Sequence, residues 1–172
     1  MKKVLPSLLI AFLLIYSASC EKDDICVDGD TPLLIIGFYD VENTEEFKEV
    51  PSIRINSLDI DSVLENDSFT DRSDSPDSLL VPLRIADTST TYELIMDSAA
   101  DADTGEETGN SDAITINYGV QETYVSKACG FVANFDNLTV TIPDSDTNWI
   151  QNITIEQETV ANSNSIHVKV FH

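Results

Sequence analysis

The chain reads as one all-β domain, an antiparallel β-sandwich, with a partly closed β-barrel as the alternative architecture. Three observations predict this. Short apolar runs rich in β-branched residues recur along the chain at fairly regular spacing. Several of them alternate with period two, as in Ile114-Thr115-Ile116-Asn117-Tyr118. No long segment carries the 3.6-residue period of an amphipathic helix.

The elements follow in chain order. Thr31-Pro32 leads into Leu33-Leu34-Ile35-Ile36-Gly37-Phe38-Tyr39, the first candidate strand. Residues 41–48 form the best local helix candidate, a short one, with a loop as the alternative. Strands are expected next at 52–58 and 79–85. Pro82 falls inside the latter and lacks a donor, which marks an edge strand or a bulge. Residues 92–96 and 113–118 come next, and Gly119 then fits a hairpin connection to a strand at 123–129. Three further strands at 138–142, 150–155 and 166–171 complete the set. Leu138, Val140 and Ile142 alternate with Thr139 and Thr141, and Ile166, Val168 and Val170 with His167 and Lys169. The same alternation sets His167 on the solvent face. Two polar insertions, 65–78 and 97–111, are long for unstructured loops, and such loops are functional or mobile.

The amino terminus carries an address. Lys2 and Lys3 precede an apolar run from Val4 to Tyr16, and the small residues Ser17-Ala18-Ser19 lead to Cys20. This is the layout of a signal peptide, and the small residues at 17 and 19 also fit an ordinary signal peptidase site. It is too short to span a bilayer, which takes roughly 20 apolar residues. We therefore expect a signal peptide over 1–19, a tether over 20–31 and the sandwich over 32–172. The segment resembles the bacterial lipobox, with Ser17 standing where leucine is usual. That resemblance implies cleavage before Cys20, a palmitate-type acyl anchor on Cys20, and an outer-membrane lipoprotein of the cell envelope, periplasmic or surface-exposed. Glu21-Lys22-Asp23-Asp24 behind it is either a surface-export signal or a solvated acidic linker.

Charge limits the partners. Lys2 and Lys3 leave with the signal, so 7 of the 9 basic residues face all 31 acidic ones and the net charge moves from −22 to −24. Nucleic-acid binding needs a basic footprint and is excluded. The remaining 153 residues suffice for one domain with a core.

Cysteine parity points the same way. The chain has three, Cys20, Cys26 and Cys129. With lipid on Cys20, two remain, and export allows them to pair. A Cys26–Cys129 disulfide closes a loop of about 100 residues, worth up to ~4.7 kcal/mol in the chain-entropy model. Two buried thiols are the alternative.

Cys20, Asp24-Ile25-Cys26, Thr31-Pro32, Pro82-Leu83, Ile116-Asn117-Tyr118 and Cys129-Gly130 together resemble a group of small uncharacterised lipoproteins of the Bacteroidota. The resemblance spans nearly the whole mature chain. It implies a lipid-anchored β-rich domain with a paired cysteine and carries no activity, since that group is known as a domain of unknown function.

Chemistry is sparse. Asp101, Asp103 and Glu107 alternate around a turn glycine, Gly105, which suits hard-cation ligation, but the spacing misses the calcium-loop pattern at 105 and 106. A solvated acidic loop is the preferred reading, and no metal or other cofactor is expected. There is no Gly-x-Ser-x-Gly elbow and no Cys-x-x-Cys pair, so no catalytic residue is assigned. Trp149, Tyr39, Tyr118 and Tyr124 are the aromatics a sugar platform would use, against the reading that strand aromatics are core. The expectation is a non-enzymatic protein-interaction or structural module held to a membrane by its lipid, with an envelope protein or a glycan as partner. The alternative is a carbohydrate-binding module at the cell surface.

Overall fold

The computed structural model describes residues 30–172 except Asp144 and Asp146. Two sheets pack face to face. The nine strands are β1 (Leu34–Tyr39), β2 (Arg54–Ser57), β3 (Ser62–Val63), β4 (Ser78–Val81), β5 (Ser89–Met96), β6 (Asn110–Ser126), β7 (Gly130–Thr141), β8 (Asn152–Ile155) and β9 (Val168–Phe171). One sheet has the order β4-β1-β9-β8 and the other β3-β2-β5-β6-β7, so the chain crosses between sheets four times. The barrel alternative is set aside: the two sheets stay separate. All strand pairings are antiparallel except β1 with β9, which run parallel.

Period-two patterning builds the core. Leu34, Ile36 and Phe38 of β1 face Ile55, Leu94, Ile114 and Ile116 of the other sheet, with Leu79, Val81, Phe135, Leu138, Val168 and Val170 around them. All six residues of β1 are buried, because this inner strand is covered on both faces. Gly37 is part of the reason: a Cβ there would lie 2.8 Å from the Tyr39 ring and 2.9 Å from Ile166 Cδ1.

Pro82 marks what its chemistry requires. β4 is the edge of its sheet and stops at Val81. The crossing from β4 to β5 is then pinned by two tyrosines. Tyr92 donates to the Pro82 carbonyl, and Tyr118 Oη donates to the Arg84 carbonyl at 2.9 Å.

Four expectations are corrected. Residues 41–48 are turns, not helix, because the Asp40 carboxylate accepts the Glu42 and Asn43 N–H groups at 2.7 and 3.0 Å and closes a side-chain-capped turn. Gly119 is no hairpin turn. Residues 110–126 form one 17-residue strand, and Gly119 sits where its pairing with β7 shifts register. A Cβ there would meet Asp136 Oδ1 at 2.2 Å, so the glycine serves close approach at a bulge. Cys129 lies in the turn between β6 and β7, not at the end of a strand, and the turn closes through Gly130 at φ 72°. His167 is buried, 1% exposed. Its N–H donates to the Ile35 carbonyl and its Nδ1 accepts the Ile35 N–H, both at 3.0 Å, so the imidazole extends the ladder between the two inner strands.

Candidate functional site

The calcium candidates do not converge. Asp101 Oδ1 is occupied by its own turn, accepting the N–H groups of Asp103 at 3.0 Å and Thr104 at 2.8 Å and the Thr104 hydroxyl at 3.0 Å. These donors hold its carboxyl below the ordinary aspartate range. Glu107 turns to a different set of partners. Its Oε1 accepts the N–H groups of Ala99 at 2.9 Å, Gly109 at 3.1 Å and Thr108 at 3.2 Å. Its Oε2 accepts the Ser98 hydroxyl at 2.9 Å and pairs with Arg72 at 3.1 Å and Arg54 at 3.4 Å. Desolvation raises the Glu107 pKa, but the Gly109 N–H, Ser98, Arg72 and the Ala99 N–H outweigh it and bring it to about 2. Among the described residues no three histidine, cysteine or acidic side chains gather into a metal-holding group.

The two polar insertions are thereby joined. Arg54 of β2 grips Asp71 in a two-pronged pair at 2.9 and 2.6 Å and also reaches Glu107. Arg72 spans from the first insertion to Ser98 and Glu107 in the second. Sequence reasoning treated these loops as functional or mobile. The missed signal was two arginines, in a chain with nine basic residues, set against two acidic loops.

Aromatic placement is uneven. Trp149, Tyr39 and Tyr118 are buried, at 6%, 6% and 5% exposure. Trp149 donates from Nε1 to the Leu94 carbonyl at 3.2 Å. Its edge borders a shallow recess of about 480 Å³ shared with Lys48, Glu49 and His172. Another, of about 420 Å³, is lined by Glu49, Asp67, Asp74 and neighbouring serines and threonine. Tyr124 alone of the four is exposed. It pairs across the hairpin with Phe131, edge to face, at 5.4 Å between centroids.

Register places that pair at a definite end of the molecule. β5 stops pairing with β6 at Ser89–Asn117, yet β6 and β7 continue together to Ser126–Gly130. They form an arm about 30 Å long at the ordinary rise per residue. Leu34 opposite Val81 sets the start of β1 at the same end, because residues 82–88 join Val81 to Ser89. Arg84 ties the end together: its N–H bonds Thr90 Oγ1 and Tyr118 Oη, and its guanidinium pairs with Asp59 in the β2–β3 connection at 3.3 Å. The described chain therefore enters at the end that carries the arm. The loops 40–49 and 97–109 and residue His172 lie at the far end, linked by Lys48 to His172 at 2.7 Å and by Asp97 N–H to the Pro51 carbonyl at 2.9 Å.

Cys129 sits at the tip of the arm, its N–H donating to Ser126 Oγ at 3.0 Å. It is engaged rather than free. Cys20 and Cys26, like the whole of 1–29, lie outside the described residues. No curated protein and no solved structure matches the chain. A family of unknown function, DUF6452, matches residues 52–172, more than two thirds of the sequence, with Cys129, the arm and eight of the nine strands inside the match. The chain belongs to the DUF6452 family of unknown function.

Proposed function

We propose that the protein is a lipid-anchored component of a cell envelope, an outer-membrane lipoprotein whose sandwich is a non-enzymatic protein-interaction or structural module. Residues 1–19 direct export, Cys20 carries the acyl chain, and a Cys26–Cys129 disulfide ties the tether to the arm. The observation that carries this reading is the meeting of the chain's entry point and the engaged Cys129 at one end of the sandwich. A tether fastened at its lipid and again at the hairpin tip fits a domain fixed to a surface. The interaction reading draws on β4, which pairs only with β1 and whose outer edge is covered by no strand but by the 66–69 turn, Asn66 Nδ2 donating to the Leu80 carbonyl at 2.7 Å and the Leu80 N–H to Ser68 Oγ at 3.4 Å, so a partner there displaces that turn. The partner on that edge is another envelope protein. A carbohydrate platform has less support, because three of its four rings are inside the core.

The test is metabolic labelling with a fatty-acid probe. The wild-type protein is expected to take up label and float with membranes, and Cys20→Ala to do neither. Peptide mapping without reduction is expected to link Cys26 to Cys129. A bare Cys20 in a water-soluble product refutes the anchor, and two alkylatable thiols refute the disulfide.

A further inference from the structure

Seven large apolar side chains are exposed among the described residues: Phe47, Leu58, Ile60, Val63, Ile85, Tyr124 and Phe131. All but Phe47 belong to the entry end. Leu58, Ile60 and Val63 surround the β2–β3 connection, Ile85 lies in the crossing beside it, and Tyr124 and Phe131 face each other on the arm. Ile60, Ile85 and Phe131 are 68%, 62% and 67% exposed. Charge has the opposite distribution. Residues 123–132, the outer part of the arm beyond the Glu122–Ala133 pair, carry Lys127 and no acidic residue, in a chain with 31. The far-end segments 40–49 and 97–107 hold ten carboxylates and one lysine. The outer arm is thus apolar and acid-free, the rest of the entry end carries Asp59, Asp61 and Asp87, two of which pair with Arg84, and the most distant end is strongly acidic.

We infer that the entry end rests on the lipid surface itself, with Tyr124 and Phe131 at headgroup depth and Ile60 and Ile85 beside them. This rests on the anchoring and disulfide proposed above, and chain length then makes it quantitative. Cys26 follows Cys20 by six residue steps. Fully extended they reach only about 20 Å, and a disulfide adds little. The hairpin tip is therefore leashed within about 20 Å of the acyl chain. Paired aromatics favour the membrane–water boundary, where one face is apolar and the other wet. A lysine at the tip is compatible with anionic headgroups, and repulsion keeps the acidic far end turned outward. The occupant of this surface is a bilayer, not a protein.

The experiment uses the full-length lipidated protein in phosphatidylcholine vesicles with and without bromine on the acyl chains, which quench nearby indoles. Trp149 is the single native tryptophan, buried at the far end, and serves as the internal control. Wild-type emission is expected to be insensitive to bromine. In Phe131→Trp the added emission is expected to lose most of its intensity. A second measurement needs no new indole: trypsin cleavage at Lys127 is expected to be much slower on vesicles than in the unlipidated Cys20→Ala protein, and Tyr124→Ser/Phe131→Ser is expected to lose that protection while still floating. Flotation of Phe131→Trp with its added emission unquenched, together with an unprotected Lys127, overturns the inference and leaves the anchor standing. Failure to float overturns both.

Discussion

His167 shows how one residue can be placed next to the correct strand, one position ahead of Val168, and on the wrong side of the solvent boundary. Alternation states which face a side chain shares with its neighbours, not whether that face is covered. β9 is an inner strand with β1 on one side and β8 on the other, and the imidazole replaces a backbone acceptor for the Ile35 N–H. Burial lowers its pKa below the ordinary 6.5, against a raising contribution from the Asn162 backbone. His172 is depressed by burial too, with the Lys48 carbonyl opposing. A depressed histidine is held neutral in the fold while the unfolded chain takes up a proton. Its contribution to stability is therefore present above pH 6.5 and lost as pH falls from 6.5 toward the lower folded value. Stability measured by urea melts should decline between pH 7.5 and 5.5, with at most about 1.4 kcal/mol per pH unit from each proton. His167→Asn keeps an acceptor near the Nδ1 position but does not titrate. It should cost about 2 kcal/mol at pH 7.5 through lost packing and flatten the decline. An unchanged slope in this variant shows that His167 is not the group that titrates.

At the scale of elements, β-branched alternation located eight of the nine strands, while the ends of the strands were the hard part. β3, only two residues long, offers no pattern to read. β6 and β7 are the instructive pair. Thr123, Tyr124 and Val125 read as the start of a new strand, and Gly119 read as the turn before it, because glycine in a β-rich stretch signals either a turn or a bulge. The distinction rests on Asp136, seventeen residues later, whose carboxylate approaches the place where a Cβ would stand. Asn137, at φ 53°, supplies the extra residue on the β7 side. This is a long-range fact that no window of local sequence contains. The same holds for Asp101 and Glu107, whose spacing suggested a shared cation, while Arg54 and Arg72, more than thirty residues away, set the direction Glu107 takes. Gly119→Ala should destabilise by about 1–2 kcal/mol by forcing Asp136 aside. Gly119→Ala combined with Asp136→Ala should recover most of that loss relative to Asp136→Ala alone. Thermal melts of the four proteins in the cycle give the coupling directly, and strict additivity of the two substitutions would refute a contact between these positions.

At the scale of the molecule, the unit that folds and the unit that the family match covers are not the same. The match begins at Ser52, after β1. Yet β1 lies inside its sheet, paired over four residues with β4 and over four with β9. It also supplies Leu34, Ile36 and Phe38 to the core, none more than 1% exposed. Burying three such side chains is worth about 5–9 kcal/mol, comparable with the whole stability of an ordinary domain. Without β1, the edges of β4 and β9 lose their partners, and the Ile35 groups that hold His167 are gone. A fragment of residues 52–172 should therefore lack a cooperative urea transition, with Trp149 emission shifted to the red. Residues 30–172 should melt in one step, and a peptide of residues 30–41 added to the shorter fragment should restore the native emission. Cooperative melting of 52–172 alone would show that β1 is an addition to a core already complete. Restoration by the peptide would show that the five-stranded sheet and the three remaining strands of its partner wait on one segment, the one nearest the point where the chain enters.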